Sequence, residues 1–330
     1  MAHQSHVNIW SIGGGKGGVG KSMVTIGLGI SLARLGNRVI LLDGDFGGAN
    51  LHTLMGLRFP AVTLEDFLLR KVARLDDVVM PSPIDGISLI CGADDILGVA
   101  NPTYHQKIRL LRELEELPAD FLLIDLAAGT SINILDLFNH SPGKIAVFTG
   151  YTTSLQNVYG FIKCALFRQI SQEFAKDKDV SELLRQEGAG DEEVLTMDDL
   201  VDQVRSVSPE KSLRLLNLLQ EFKVFLVTNM VKTEQDARSA EIIQKVCADF
   251  LNITPPILGS LPFDPLVEKA VNRMALPLLY QKKNPFLKSL DEIANRMVCL
   301  PRSSTALPSE KENSASKTSS GLLKETLQTG

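Results

Sequence analysis

The sequence lacks several features that would declare a function at once. Its four cysteines, Cys91, Cys164, Cys247 and Cys299, are far apart and form no C-x-x-C pair, which offers no cysteine-built metal cluster and suits a reduced cytosol. They are expected to be small buried apolar residues. No apolar run approaches the ~18 residues needed to span a bilayer. Residues 1–7 are too short and polar for a signal peptide, so a cytoplasmic location is expected. Strong charge imbalance is also missing: a net charge of −5 argues against a surface given over wholly to nucleic acid, although a local basic patch has room on such a body.

What is present is enough apolar material for a large core, 44% of 330 residues. Short apolar runs alternate with longer segments of helical period from Val7 to about Arg296. This is the pattern of an α/β domain with a mostly parallel, doubly wound sheet flanked by helices. The runs at 7–12, 38–42, 87–91, 121–125, 144–149, 224–229 and 257–261 are the expected strands. Asn101-Pro102 reads as a helix cap followed by a first-turn proline, and Thr153 with Gln156 as a capping box. Between Ser171 and Gln220 the alternation fails, and a charged stretch broken by Gly188-Ala189-Gly190 reads as a helical insertion on the domain surface, about 174–220. Residues 301–330 are rich in serine and poor in large apolar residues, so they are expected to be a disordered tail after a domain spanning 1–300.

One motif stands out. Gly15-Lys16-Gly17-Gly18-Val19-Gly20-Lys21-Ser22 fits G-x-x-x-x-G-K-[ST], and it lies between the first expected strand and a helix expected over 23–35, the context that such a phosphate loop requires. Glycines let the backbone curl around a phosphate with its N–H groups inward, and the helix N-terminus adds positive potential there. Lys21 is placed to reach β- and γ-phosphates and the Ser22 hydroxyl to ligate Mg²⁺. Lys16, near the start of the loop, should point away from its own phosphate. It gains a use if a second copy packs face to face across the nucleotides and the ammonium meets transition-state charge in trans.

The stretch "KGGVGKS" resembles the deviant Walker A box of the MinD/ParA (SIMIBI-class) P-loop ATPases. Further similarity lies in "VILLDGDFGGANLHTLMGL", in "FLLIDLAAGTS" and in "VFLVTNMVKTEQD", covering most of residues 7–300, and the flagellar and site-determining MinD/FlhG-like members are the most similar. The resemblance implies a slow ATPase using ATP and Mg²⁺, with nucleotide contacts from Gly15 through Met23. It implies catalytic roles for Lys16, Lys21 and Asp45, with Asp45 polarising the attacking water. Ser22, Asp43 and Asp125 fall to the metal shell, and Asn229, Pro262 and Asp264 to the adenine.

It further implies a homodimer formed on ATP binding, a regulatory protein partner, and spatial regulation of flagella or of the division site. Three departures qualify it. Ala127 replaces the usual switch proline, which should loosen the Asp125–Gly129 segment. Six residues before the first strand leave no room for the activator helix of FlhG proteins, so coupling to an FlhF-type GTPase is not expected. The C-terminus lacks a strongly basic amphipathic helix, so membrane binding should be weak or absent. A ParA-like DNA-partitioning ATPase and an ATP-dependent synthase or amidase stay open as alternatives, the first needing a basic strip and the second a further substrate pocket. A NifH-type iron–sulfur carrier is opposed by the missing cysteine pairs.

Overall fold

The strand-forming runs are apolar on both faces, which only a sheet covered on both sides can satisfy. The computed structural model describes residues 7–45, 48, 50–57, 60–92, 102–187, 196–274 and 285–300. Its strands are β1 (Asn8–Gly13), β2 (Val39–Gly44), β3 (Met80–Pro81), β4 (Ile87–Ile90), β5 (Phe121–Leu126), β6 (Gly143–Thr149), β7 (Phe225–Val231) and β8 (Ile257–Pro262). In β2, Val39 and Leu41 enter one buried cluster while Ile40 and Leu42 enter another. The same alternation holds for Phe121/Leu123 against Leu122/Ile124 in β5.

The eight strands form one sheet in the order β3-β4-β2-β5-β1-β6-β7-β8. Every pairing is parallel except that of the short edge strand β3 with β4. All seven expected strands are present, and β3 alone was not foreseen, since two residues carry no readable period.

The helices are α1 (Lys21–Arg34), α2 (Leu51–Leu54), α3 (Leu64–Leu68), α4 (Tyr104–Leu114), α5 (Ile132–His140) and α6 (Thr152–Glu173), then α7 (Lys178–Glu187), α8 (Met197–Val207), α9 (Pro209–Glu221), α10 (Glu234–Leu251), α11 (Pro265–Asn272) and α12 (Pro285–Cys299). α1 and α12 cover one face of the sheet, and α4, α5, α6 and α10 the other. No described helix is long and apolar enough to cross a membrane.

Several local expectations are corrected. α4 is capped by Thr103, which shares a capping box with Gln106, so the start lies beyond Pro102, while Asn101 falls outside the described residues. Thr153 lies inside α6, whose N-cap is Tyr151 without a side-chain cap. The nearby Ser154 hydroxyl instead accepts from the Thr149 amide at 3.0 Å, closing the end of β6. Cys91 and Cys247 are buried as expected, but Cys164 and Cys299 are exposed because they sit on the wet faces of α6 and α12.

The stretch between α6 and β7 is helical, as read, yet it is more than a surface addition. Val180, Met197, Leu200, Val201, Val204 and Leu215 belong to the same buried cluster as α6 and α10. The charges that dominate the composition lie outside, in ion pairs such as Arg214 with Glu173 at 2.7 Å and Lys211 with Asp177 at 3.3 Å. The Gly188–Gly190 break and residues 301–330 lie outside the described residues.

Candidate functional site

Parallel strands deliver their carboxyl ends to one edge of the sheet, and the loops that follow meet there. β1 runs out at Gly13 and the chain re-enters a helix at Lys21. Between them Gly20 is left-handed, φ 90° and ψ 27°, and caps α1 without a side chain, while no acidic residue occupies the first turn. The free N–H groups and the macrodipole of α1 therefore face an uncompensated opening.

Two glycines are required by contact, and Gly20 by conformation as well. A Cβ on Gly15 would lie 2.0 Å from the Asn157 carbonyl oxygen on α6, and one on Gly20 would lie 2.4 Å from Asn229 Nδ2. That amide donates to the Val19 carbonyl at 2.9 Å, pinning the loop to β7. Lys16, Gly17 and Gly18 are exposed, and Val19 is buried.

Behind the loop sits a charged constellation. Asp43 of β2 is the register partner of Asp125 of β5, and Asp125 is also paired with Ile12 of β1, so two carboxylates end adjacent strands at one level. Both are buried. Asp125 is pushed up to about 7, chiefly by burial and also by the charge of Asp43. Hydrogen bonds from Ser22 and Thr25 and the Lys21 ammonium act against that rise. Thr25 Oγ1 lies 3.3 Å from Asp125 Oδ1 and 3.0 Å from the Lys21 carbonyl.

Asp43 is pushed up to about 6, first by burial and then by Asp45, although it accepts from the amides of Leu51 at 2.9 Å and Asp45 at 3.1 Å. Lys21 is also buried, and burial lowers its ammonium below the usual lysine range against the pull of Asp125 and Asp45. Two carboxylates whose negative charge burial disfavours, beside a hydroxyl already bonded to one of them, fit a small divalent cation that would compensate that charge. Among the described residues no three His, Cys, Asp or Glu could hold a metal by themselves. A cation here would take its remaining oxygens from Ser22, phosphate and water, as Mg²⁺ does.

Beside this constellation opens a cavity of about 370 Å³, large enough for a small ligand. Gly18, Gly20, Lys21, Ser22 and Met23 form one wall, and Asn229, Pro262 and Asp264 part of the other. The predicted residues Gly15, Lys16, Gly17, Val19, Asp43, Asp45 and Asp125 lie outside its lining. The far wall is shaped by an irregular β7–β8 pairing that slips between Thr228 and Val231, where Met230 takes a left-handed φ of 57°. A non-glycine residue in that region costs free energy and commonly marks a working site. The Asp264 carboxylate caps α11, accepting from the Leu266 amide at 2.8 Å.

Sequence reasoning missed Thr25, Leu51, Met230 and Glu268. Thr25 was findable, since it lies one helical turn beyond Lys21 and Ser22 on the same side of α1. The Leu51 amide and the slip at Met230 are backbone events with no side-chain signature.

Known proteins share this chain's sequence pattern and its fold. Antiactivator FleN of Pseudomonas aeruginosa is 32% identical over 165 residues, 49% of this chain and 58% of its own length. A putative septum site-determining protein MinD of Oltmannsiellopsis viridis is 33% identical over 144 residues, 43% of this chain and 45% of its own. The matches thus span about half the length of these relatives. The structure of the septum site-determining protein MinD complexed with Mg-ADP from Pyrococcus horikoshii shares the fold. Its TM-score is 0.60 at 20% identity, over 88% of this chain and 95% of that one. The family model for the CobQ/CobB/MinD/ParA nucleotide-binding domain matches residues 10–278, and the chain belongs to that family.

Proposed function

We propose that this chain is a Mg²⁺-dependent ATPase that dimerises face to face when ATP is bound and uses the nucleotide as a switch for capturing a protein partner. The task we assign it is site determination, in flagellar or division-site placement, from a cytoplasmic protein whose ATPase domain spans residues 1–300. The observation that carries the reading is the grouping of Lys21, Ser22, Asp43 and Asp125 at the carboxyl ends of β1, β2 and β5, beside the cavity that Asn229 also lines. Relatives named as an antiactivator and as a septum site-determining protein support a regulatory role over a metabolic one.

In this reading Lys21 neutralises the β- and γ-phosphates, and the loop amides after Gly15 orient them. Ser22, Asp43 and Asp125 would hold Mg²⁺, which supplies charge neutralisation when bound. Asp45, partly exposed at the end of β2, orients the attacking water, and Asn229 with Pro262 and Asp264 holds the base. Exposed Lys16 acts across the dimer, meeting charge on the partner's nucleotide. Lys16→Ala is therefore expected to bind ATP within about tenfold of wild type while losing ATP-dependent dimerisation and turnover. Light scattering with and without ATP checks this, and an undiminished dimer in the variant overturns the trans role.

A further inference from the structure

Besides Asp264, the cavity carries a second acidic group that no phosphate or metal chemistry requires. Glu268 and Asn272 lie one turn apart on α11 and both line it, together with Val267 and Val271. The phosphate end is marked by Lys21 and Ser22, where a further carboxylate would repel the triphosphate, so Glu268 is compatible with binding only toward the nucleoside end. The other carboxylate of this wall, Asp264, is engaged in capping α11, and the Asn229 Nδ2 is engaged by Val19. Among the described residues the Glu268 carboxylate makes no hydrogen bond or ion pair, and an ionised carboxylate can only accept.

We infer that Glu268 is a specificity-determining residue that accepts a hydrogen bond from the nucleoside, from either the exocyclic amine of the base or a ribose hydroxyl. This rests on the nucleotide reading above. Both sources present an N–H or O–H donor, and although Glu268 is exposed, a hydrogen bond to an ionised carboxylate is stronger than one between neutral groups, so an analogue lacking the donor forfeits that contact. Glu268 also lies in the first turn of α11, where a carboxylate complements the helix dipole. That role alone would lower thermal stability on substitution without altering selectivity among nucleotides.

The test is calorimetric titration of the full chain and of its Glu268→Ala and Glu268→Gln variants, in Mg²⁺, with ATP, ITP, 2′-deoxyATP and 3′-deoxyATP. Glu268→Ala should weaken ATP about threefold to tenfold and leave unchanged the one analogue that lacks the recognised donor. An unchanged ITP affinity identifies the amine, and an unchanged deoxy analogue the ribose. Glu268→Gln, which keeps an acceptor oxygen, should lie between. Equal weakening of all four nucleotides, or an ATP affinity equal to wild type, overturns the assignment of Glu268 while leaving the nucleotide reading intact. A wild-type chain that binds none of the four overturns both.

Discussion

Gly20 is the point where the loop, α1 and β7 meet, and replacing it tests whether the loop geometry is imposed by contact. Gly20→Ala forces a side chain into φ 90°, at a cost of about 1–2 kcal/mol. Its Cβ would approach Asn229 Nδ2 to 2.4 Å. Asn229 is 1% exposed and cannot swing into solvent, so its bond to the Val19 carbonyl is lost and a buried polar pair is left unmatched, about 1–3 kcal/mol more. The sum is a destabilisation of about 2–5 kcal/mol, with loss of nucleotide affinity as Lys21 is displaced.

Gly17→Ala is the matched control: the same chemical change, but with no atom within 4 Å of the added carbon and no left-handed φ. It should stay within about 0.5 kcal/mol of wild type. Urea unfolding without nucleotide, followed by ATP titration, separates the two effects. If both variants unfold at the wild-type midpoint, the contact argument is wrong.

Two further outcomes are expected. Asp43 and Asp125 have folded-state values raised to about 6 and about 7 from an ordinary 3.8. Between roughly pH 4 and 7 the folded chain therefore binds more protons than the unfolded one, and metal-free stability contributed by this pair falls as pH rises through that window, by on the order of a few kcal/mol. Asp125→Asn should flatten the slope, and parallel stability profiles for variant and wild type from about pH 5 to 7.5, measured by chemical denaturation, would refute this. Leu200→Ala in α8, at a site 1% exposed within the main cluster, should cost about 2–5 kcal/mol. A change below about 0.5 kcal/mol in urea unfolding would return the α7–α9 segment to the status of a surface addition.

The parts of this protein that were legible in the sequence are those in which a local pattern carries the physics. Doubly apolar runs bounded by polar segments specified seven strands, and the glycine spacing from Gly15 to Gly20 specified a loop between strand and helix. The neighbouring of Asp43 and Asp125 was not legible from pattern alone, because it depends on β5 inserting between β2 and β1, a non-local choice that no window of sequence contains. The α7–α9 segment failed for a different reason. Its charge density drew the reading toward a solvated appendage, yet Met197, Leu200, Val201 and Val204 recur at helical spacing and are all buried. Charge on a helix reports which face is wet and leaves the opposite face undecided. Burial of that face against α6 and α10 makes the segment part of the core that holds β6 and β7, and β7 carries Asn229, so a truncation there should disturb the nucleotide site through packing before any question of partner binding arises.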